Sequence, residues 1–95
     1  MKPVELPITD ELDLHTFAPR DVPSVVEEYV HACRERGLTP VRIVHGRGKG
    51  VQRAVVQRVL RGLAGVLEVR DAMPGSGGWG ATLVELAPMQ GETSR

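Results

Sequence analysis

The stretch Val41–Gly50, V-R-I-V-H-G-R-G-K-G, admits few local structures. Val41, Ile43 and Val44 favour a strand, and Thr39-Pro40 breaks the chain before them. The pattern changes at His45. Gly46, Gly48 and Gly50 alternate with Arg47 and Lys49. From Val51 onward, Val51, Val55, Val59 and Leu63 recur at helical spacing. A strand therefore runs into a histidine, then a basic glycine loop, then a helix. Such a loop lets bare amides approach an oxyanion, and the helix start adds partial positive charge. A tight turn without a ligand is the plainer alternative. Two nucleotide loops are excluded. A Walker-type loop needs Gly five residues before its Gly-Lys and Ser or Thr after it; here those positions are Ile43 and Gly50. A dinucleotide fingerprint needs a third Gly where this chain has Val51 or Arg53.

The net charge is zero across the 95 residues, yet the charges are segregated. Residues 41–62 carry Arg42, Arg47, Lys49, Arg53, Arg58 and Arg61 and no acid. Acids predominate over residues 1–40. A basic segment centred on the glycine loop suits a phosphate-bearing partner, or else forms a solvated helix face. The length fits one domain with a modest core. Aromatics are limited to Phe17, Tyr29 and Trp79, so Val and Leu must build that core. Cys33 stands alone, which excludes an internal disulfide and a cysteine metal cluster, and it reads as a core residue. No apolar run approaches a membrane span, and no signal pattern opens the chain, so no membrane partner and a cytoplasmic location are expected.

The remaining elements follow in order. Residues 1–9 hold Pro3 and Pro7 and read as an extended lead-in. Glu11–His15, E-L-D-L-H, alternates as a half-buried strand, with Leu12 and Leu14 inward and Asp13 and His15 outward. Asp21 is a candidate N-cap. Val22, Val25, Val26, Tyr29, Val30 and Cys33 mark a helix that Gly37 ends, with Glu27, Glu28, His31, Arg34 and Glu35 on its outer face. The second helix runs to about Ala64. Val66–Met73 is a third strand, with Leu67 and Val69 opposed to Glu68 and Arg70. After the turn Pro74–Gly78, Trp79-Gly80 leads into a fourth strand, Ala81–Leu86. Residues 89–95 form a polar tail, leaving one domain over residues 10–88. The expected fold is a two-layer α/β sandwich, β-α-β-α-β-β. Two helices cover one face of a four-stranded mixed sheet, and the last strand is antiparallel to the third.

Ligands of open α/β sheets gather at the carboxyl ends of the parallel strands. His15 ends the first strand and His45 the second. If these strands are neighbours, Asp13, His15, His45 and Arg47 share one rim. A carboxylate can orient an imidazole, two imidazoles can supply acid and base, and Arg47 can grip a phosphoryl group. Amides over Gly46–Gly50 can stabilise developing charge. That set suits phosphodiester cleavage. The plainer alternatives are a structural Asp13–His15 pair and a His45 that caps its strand end. Two histidines and an aspartate could also hold a divalent metal, but nothing in the spacing selects that, so no cofactor is expected.

L-D-L-H at 12–15, the 41–50 stretch and G-G-W-G-A-T at 77–82 together resemble the Smr (small MutS-related) domain. The resemblance implies a β-α-β-α-β-β sandwich that binds nucleic acid and in several members acts as an endonuclease, on branched DNA or on ribosome-associated mRNA. It places the family's D-x-H pair on Asp13 and His15. Its H-G-x-G loop falls on His45, Gly46, Arg47 and Gly48, with a basic third residue that assists cleavage. Its terminal glycine motif falls on Gly77, Gly78, Gly80, Ala81 and Thr82. Thr16 stands where many members have Gly. The chain carries none of the ATPase or clamp regions of larger MutS relatives, so a stand-alone Smr domain, or one targeted by a partner, is expected.

The expected activity is an endonuclease that favours RNA over DNA, with Asp13, His15, His45 and Arg47 as catalytic residues. Gly46, Gly48, Lys49, Gly50, Arg53, Gly78, Trp79 and Gly80 are the candidate phosphate- and nucleic-acid-binding residues. Trp79 could stack on an unpaired base or cover a core edge. The competing expectations are a non-catalytic binding module for branched DNA or for RNA or the ribosome, linked to DNA repair or recombination, and a metal-assisted DNA nickase. The oligomeric state is open.

Overall fold

The computed structural model describes residues 8–46, 51–72 and 80–89. Arg47, Gly48, Lys49, Gly50, Gly77, Gly78 and Trp79 lie outside them, as do Met73, the turn 74–78, residues 1–7 of the lead-in and residues 90–95 of the tail. The described elements are β1 (Glu11–Asp13), a single 3-10 turn (Pro19–Asp21), α1 (Val22–Glu35), β2 (Val41–Val44), α2 (Val51–Arg61), β3 (Val66–Asp71) and β4 (Ala81–Leu86).

The four strands form one mixed sheet in the order β1-β2-β4-β3. β1 runs parallel to β2, with Glu11 opposite Arg42 and Asp13 opposite Val44. β4 is antiparallel to both of its neighbours. A helix is about 10 Å wide, roughly two strand spacings, so the α2 crossover delivers β3 two places from β2. β4 then returns into the gap.

α1 and α2 pack against each other and cover the same side of the sheet. Val26, Val30 and Cys33 of α1 and Val56 and Leu60 of α2 meet Val41 and Ile43 of β2 and Val84 and Leu86 of β4. Burying each such Val or Leu contributes about 1.5–3 kcal/mol. Cys33 is fully buried, and that burial pushes its thiol pKa up, as suits a small core residue. On the opposite side of the sheet ion pairs accompany Val44, Ala81 and Leu83. Arg42 faces Glu11 at 3.7 Å, and Arg70 lies 3.4–3.5 Å from Glu68 and Glu85.

α1 ends where Gly37 enters positive φ. The Gly37 amide bonds the Arg34 carbonyl and the Leu38 amide reaches Cys33, which closes the helix end in a Schellman turn. Asp21 occupies the N-cap position, but its side chain makes no capping bond.

Several local expectations are corrected. β1 stops at Asp13, two residues before His15. α2 ends at Arg61, and Gly62 and Leu63 continue in 3-10-type bonds to Val59 and Leu60. A bulge between Val66 and Glu68 breaks the alternation of β3, so Val66 and Val69 pack toward the core while Leu67 stays 67% exposed. Val51 is equally exposed, because the buried stripe of α2 runs through Val56 and Leu60. Arg34, expected on the outer face, is half-buried. It donates to the carbonyls of Ala64, Ala87 and Pro88 and ties the turn after α2 to the exit of β4.

Candidate nucleic-acid site at the rim of the parallel strands

The parallel pairing of β1 and β2 brings together the two strand ends that lead into His15 and His45. The ladder continues past β1, with the Leu14 amide on the Val44 carbonyl at 2.9 Å. Asp13 and His15 therefore stand beside the start of the glycine loop. The Asp13 carboxylate holds its partner twice. Its Oδ1 accepts from the His15 amide at 3.0 Å and lies 3.3 Å from His15 Nδ1. With the proton on Nδ1, the imidazole keeps Nε2 as a base. Both side chains are solvent-exposed.

His45 behaves differently. Strand alternation puts Asp13 and Val44 on the open face, and Leu14 and His45 on the helix-covered face. His45 is 8% exposed. Its Nδ1 is 3.0 Å from the Gly46 carbonyl and its Nε2 is 2.8 Å from Thr82 Oγ1. The carbonyl can only accept, so Nδ1 carries the proton and Nε2 accepts from the Thr82 hydroxyl. Burial pushes the His45 pKa below its ordinary value, which keeps the ring neutral. Both nitrogens are thus engaged inside the protein. The rim is shared, but the His45 ring is turned away from the Asp13–His15 pair.

The bond to Thr82 opens a longer chain. Gln57 of α2 donates to Thr82 Oγ1 at 3.1 Å and to Asp71 Oδ1 at 3.1 Å. Asp71 also receives Nε and Nη2 of Arg53 at 2.8 and 2.7 Å. The Arg53 guanidinium holds the Asp71 carboxyl below its usual range, with help from Gln57. This run braces the first turns of α2 against β3, β4 and the loop entrance. Arg53, expected on the phosphate-binding surface, carries this pairing. Thr82 follows the inward phase of Val84 and Leu86, and a hydroxyl at an inward position calls for buried partners. That was the one sequence signal for the relay; Gln57 and Asp71 gave none.

The two glycine motifs meet directly. The amides of His45 and Gly46 both donate to the Gly80 carbonyl, at 2.9 and 3.0 Å. Gly46 takes φ +83, a left-handed conformation that turns the chain off β2. Thr16, in the turn after His15, is exposed. Among the described residues no group of three or more His, Cys, Asp or Glu side chains could hold a metal ion. No helix among them is long and apolar enough to cross a membrane.

The sequence profile of the Smr domain matches residues 12–87. Endonuclease MutS2 of Thermus thermophilus is 35% identical over 78 residues, covering 82% of this chain and 10% of that protein. Endonuclease MutS2 of Pelotomaculum thermopropionicum is 39% identical over 80 residues, 84% of this chain and again 10% of the relative. The chain thus spans about a tenth of the length of these relatives. The crystal structure of the Smr domain of Thermus thermophilus MutS2 matches with a TM-score of 0.79 at 34% identity, covering 84% of this chain and 100% of that one. YdaL, a stand-alone small MutS-related protein from Escherichia coli, matches with a TM-score of 0.77 at 28% identity, over 85% of this chain and 66% of its own. Since motifs, topology and matched span agree, the chain belongs to the Smr domain family.

Proposed function

We propose that this domain binds nucleic acid at the rim of β1 and β2 and cleaves a phosphodiester bond there, with RNA preferred over DNA. The observation that carries this is the Asp13–His15 pair, exposed beside the strand that feeds the glycine loop. Relatives that share the family bear the name endonuclease. In this reading Asp13 orients His15, and His15 Nε2 takes the proton of a ribose 2′-hydroxyl. The 2′-oxygen attacks phosphorus, the P–O5′ bond breaks, and the leaving oxygen takes a proton from water at the open rim. The products are a 2′,3′-cyclic phosphate and a 5′-hydroxyl. Arg47 and Lys49 offset the charge on the nonbridging oxygens, and the amides of Gly48 and Gly50 approach them. His45 acts as a positioning residue that fixes Gly46. Gly78, Trp79 and Gly80 contribute further contacts to the bound nucleic acid in this reading.

The test incubates pure protein with matched RNA and DNA oligonucleotides, with and without EDTA, and identifies the product ends. RNA cleavage that persists in EDTA, leaves cyclic phosphate ends and stops when the scissile ribose becomes deoxyribose supports the reading. Cleavage lost in EDTA and restored by Mg²⁺ overturns it in favour of a metal-assisted nickase.

One observation favours a second reading. The internal bonds of His45 leave a single exposed imidazole at this rim, which also suits a module that binds branched DNA, RNA or the ribosome without cutting it. Salt-dependent binding with no cleavage would then be found, and Asp13→Ala would change nothing in the cleavage assay.

A further inference from the structure

A groove of about 310 Å³ runs along the outer edge of β1, and Asp13 forms part of its wall. Glu11, Leu12, Thr16, Phe17 and Tyr29 are among its other walls. The geometry points to a nucleobase slot: one unpaired, amino-bearing base enters here while the adjoining phosphate lies outside it, on the His15 side. This rests on the nucleic-acid reading above and adds which part of the nucleotide is held, and by what.

Three features select a base. Phe17 is 39% exposed, and the bond from its amide to the Leu14 carbonyl, at 3.0 Å, fixes the turn that carries it. An exposed aromatic ring carried on a fixed turn is a stacking platform. The Tyr29 hydroxyl donates to the Thr9 carbonyl at 2.6 Å, so the back wall is pinned too. Among the described residues the charged groups lining the groove are the carboxylates of Glu11, which faces Arg42 at 3.7 Å, and Asp13. They repel phosphate and accept N–H donors, so the neutral part of a nucleotide enters. Guanine, with adjacent N1–H and amino donors, matches a carboxylate better than uracil does. Asp13 meets His15 through Oδ1 alone, so Oδ2 can accept from the base. The groove volume sits at the small end of ligand sites, about 300–1,000 Å³.

The test walks one abasic residue through a single-stranded RNA and measures binding by fluorescence anisotropy. Wild type should weaken about fivefold to hundredfold at one register, the range of a single stacked base. Phe17→Leu should bind the intact strand that much more weakly and be indifferent to the abasic residue at that register. Phe17→Tyr should restore the difference. Guanine at that register should bind more tightly than uracil. The inference is overturned if no register responds in wild type, or if Phe17→Leu responds as wild type does. Equal binding of guanine and uracil overturns the donor preference. The abasic arm needs no protein variant, so a folding defect in Phe17→Leu cannot mimic the result. A wild type that binds no RNA or DNA at low salt sinks the parent reading; one that binds but ignores Phe17 sinks only the slot.

Discussion

Thr82 donates its hydroxyl to His45 Nε2 at 2.8 Å, joining residues 37 positions apart in the chain. The bond fixes the tautomer of the imidazole, and the other nitrogen then holds the Gly46 carbonyl at 3.0 Å. A side chain on an inner strand thereby fixes Gly46, where the chain turns off β2. Histidine at this position is a fastener for Gly46, and Gln57 and Asp71 extend it to α2 and β3.

Replacing Thr82 with Val keeps the shape and removes the hydroxyl. His45 Nε2 and one Gln57 donor then lose a buried partner, which should destabilise the fold by about 1–3 kcal/mol. Thr82→Ser should recover most of that. Urea unfolding at constant m-value measures it, and the His45 ring nitrogen shifts report whether the tautomer is lost. Unchanged stability in Thr82→Val would show that the relay is not energetically coupled.

His45 also sets a pH dependence. Burial holds its folded pKa below the unfolded value of about 6.5. The unfolded chain then binds more protons in the window beneath 6.5, so unfolding free energy rises with pH there. The contribution is complete above about pH 6.5 and is lost as pH falls toward the depressed folded value. Urea melts at pH 7.5 and pH 5.5 should show lower stability at the acid end, and His45→Gln should flatten that difference. The depressed Asp71 carboxyl acts in a separate window below its ordinary value of 3.8.

The rim pair predicts a split between binding and chemistry. His15→Ala should reduce cleavage by about 10²–10⁴-fold with little change in nucleic-acid affinity. Asp13→Asn should cost less, since the imidazole remains while its orientation loosens. Both side chains are exposed, so neither change should move the thermal midpoint by more than a degree or two. A His15→Ala protein that cleaves at the wild-type rate removes this imidazole from the reaction.

Gly65 and Arg34 form a structural pair. Gly65 sits at φ +87, and a Cβ there would run into the Arg34 guanidinium. Gly65→Ala should therefore destabilise by about 1–3 kcal/mol from backbone strain alone, with the collision added. Arg34→Ala removes the collision and also the bonds to Ala64, Ala87 and Pro88. The double variant should be less unstable than the sum of the singles. Strict additivity in a denaturation cycle would mean that the side chain simply swings aside.

What the sequence determined by itself is what local chemistry controls. Alternation in E-L-D-L-H marked the first strand and its open face. Spacing from Val22 to Cys33 marked α1, Gly37 marked its end, and the glycines after Val44 marked where β2 must stop. Linear order also indicated that Asp13, His15 and the loop collect at strand ends, because parallel strands joined by a helix place their carboxyl ends on one side. Only the tertiary structure decided the rest. It put β4 between β2 and β3, which made Thr82 a central, buried donor. It put a bulge into β3, which turned Leu67 outward, and rotated α2 so that Val56 and Leu60, and not Val51, meet the core. It directed Arg34 onto three carbonyls and Arg53 onto Asp71, and turned His45 under the sheet while Asp13 stayed above it. The physical reason is common to all of these. Periodicity reports which way a residue faces along its own element, whereas a hydrogen-bond partner is supplied by whichever element packs alongside, and that is set by sheet order and register.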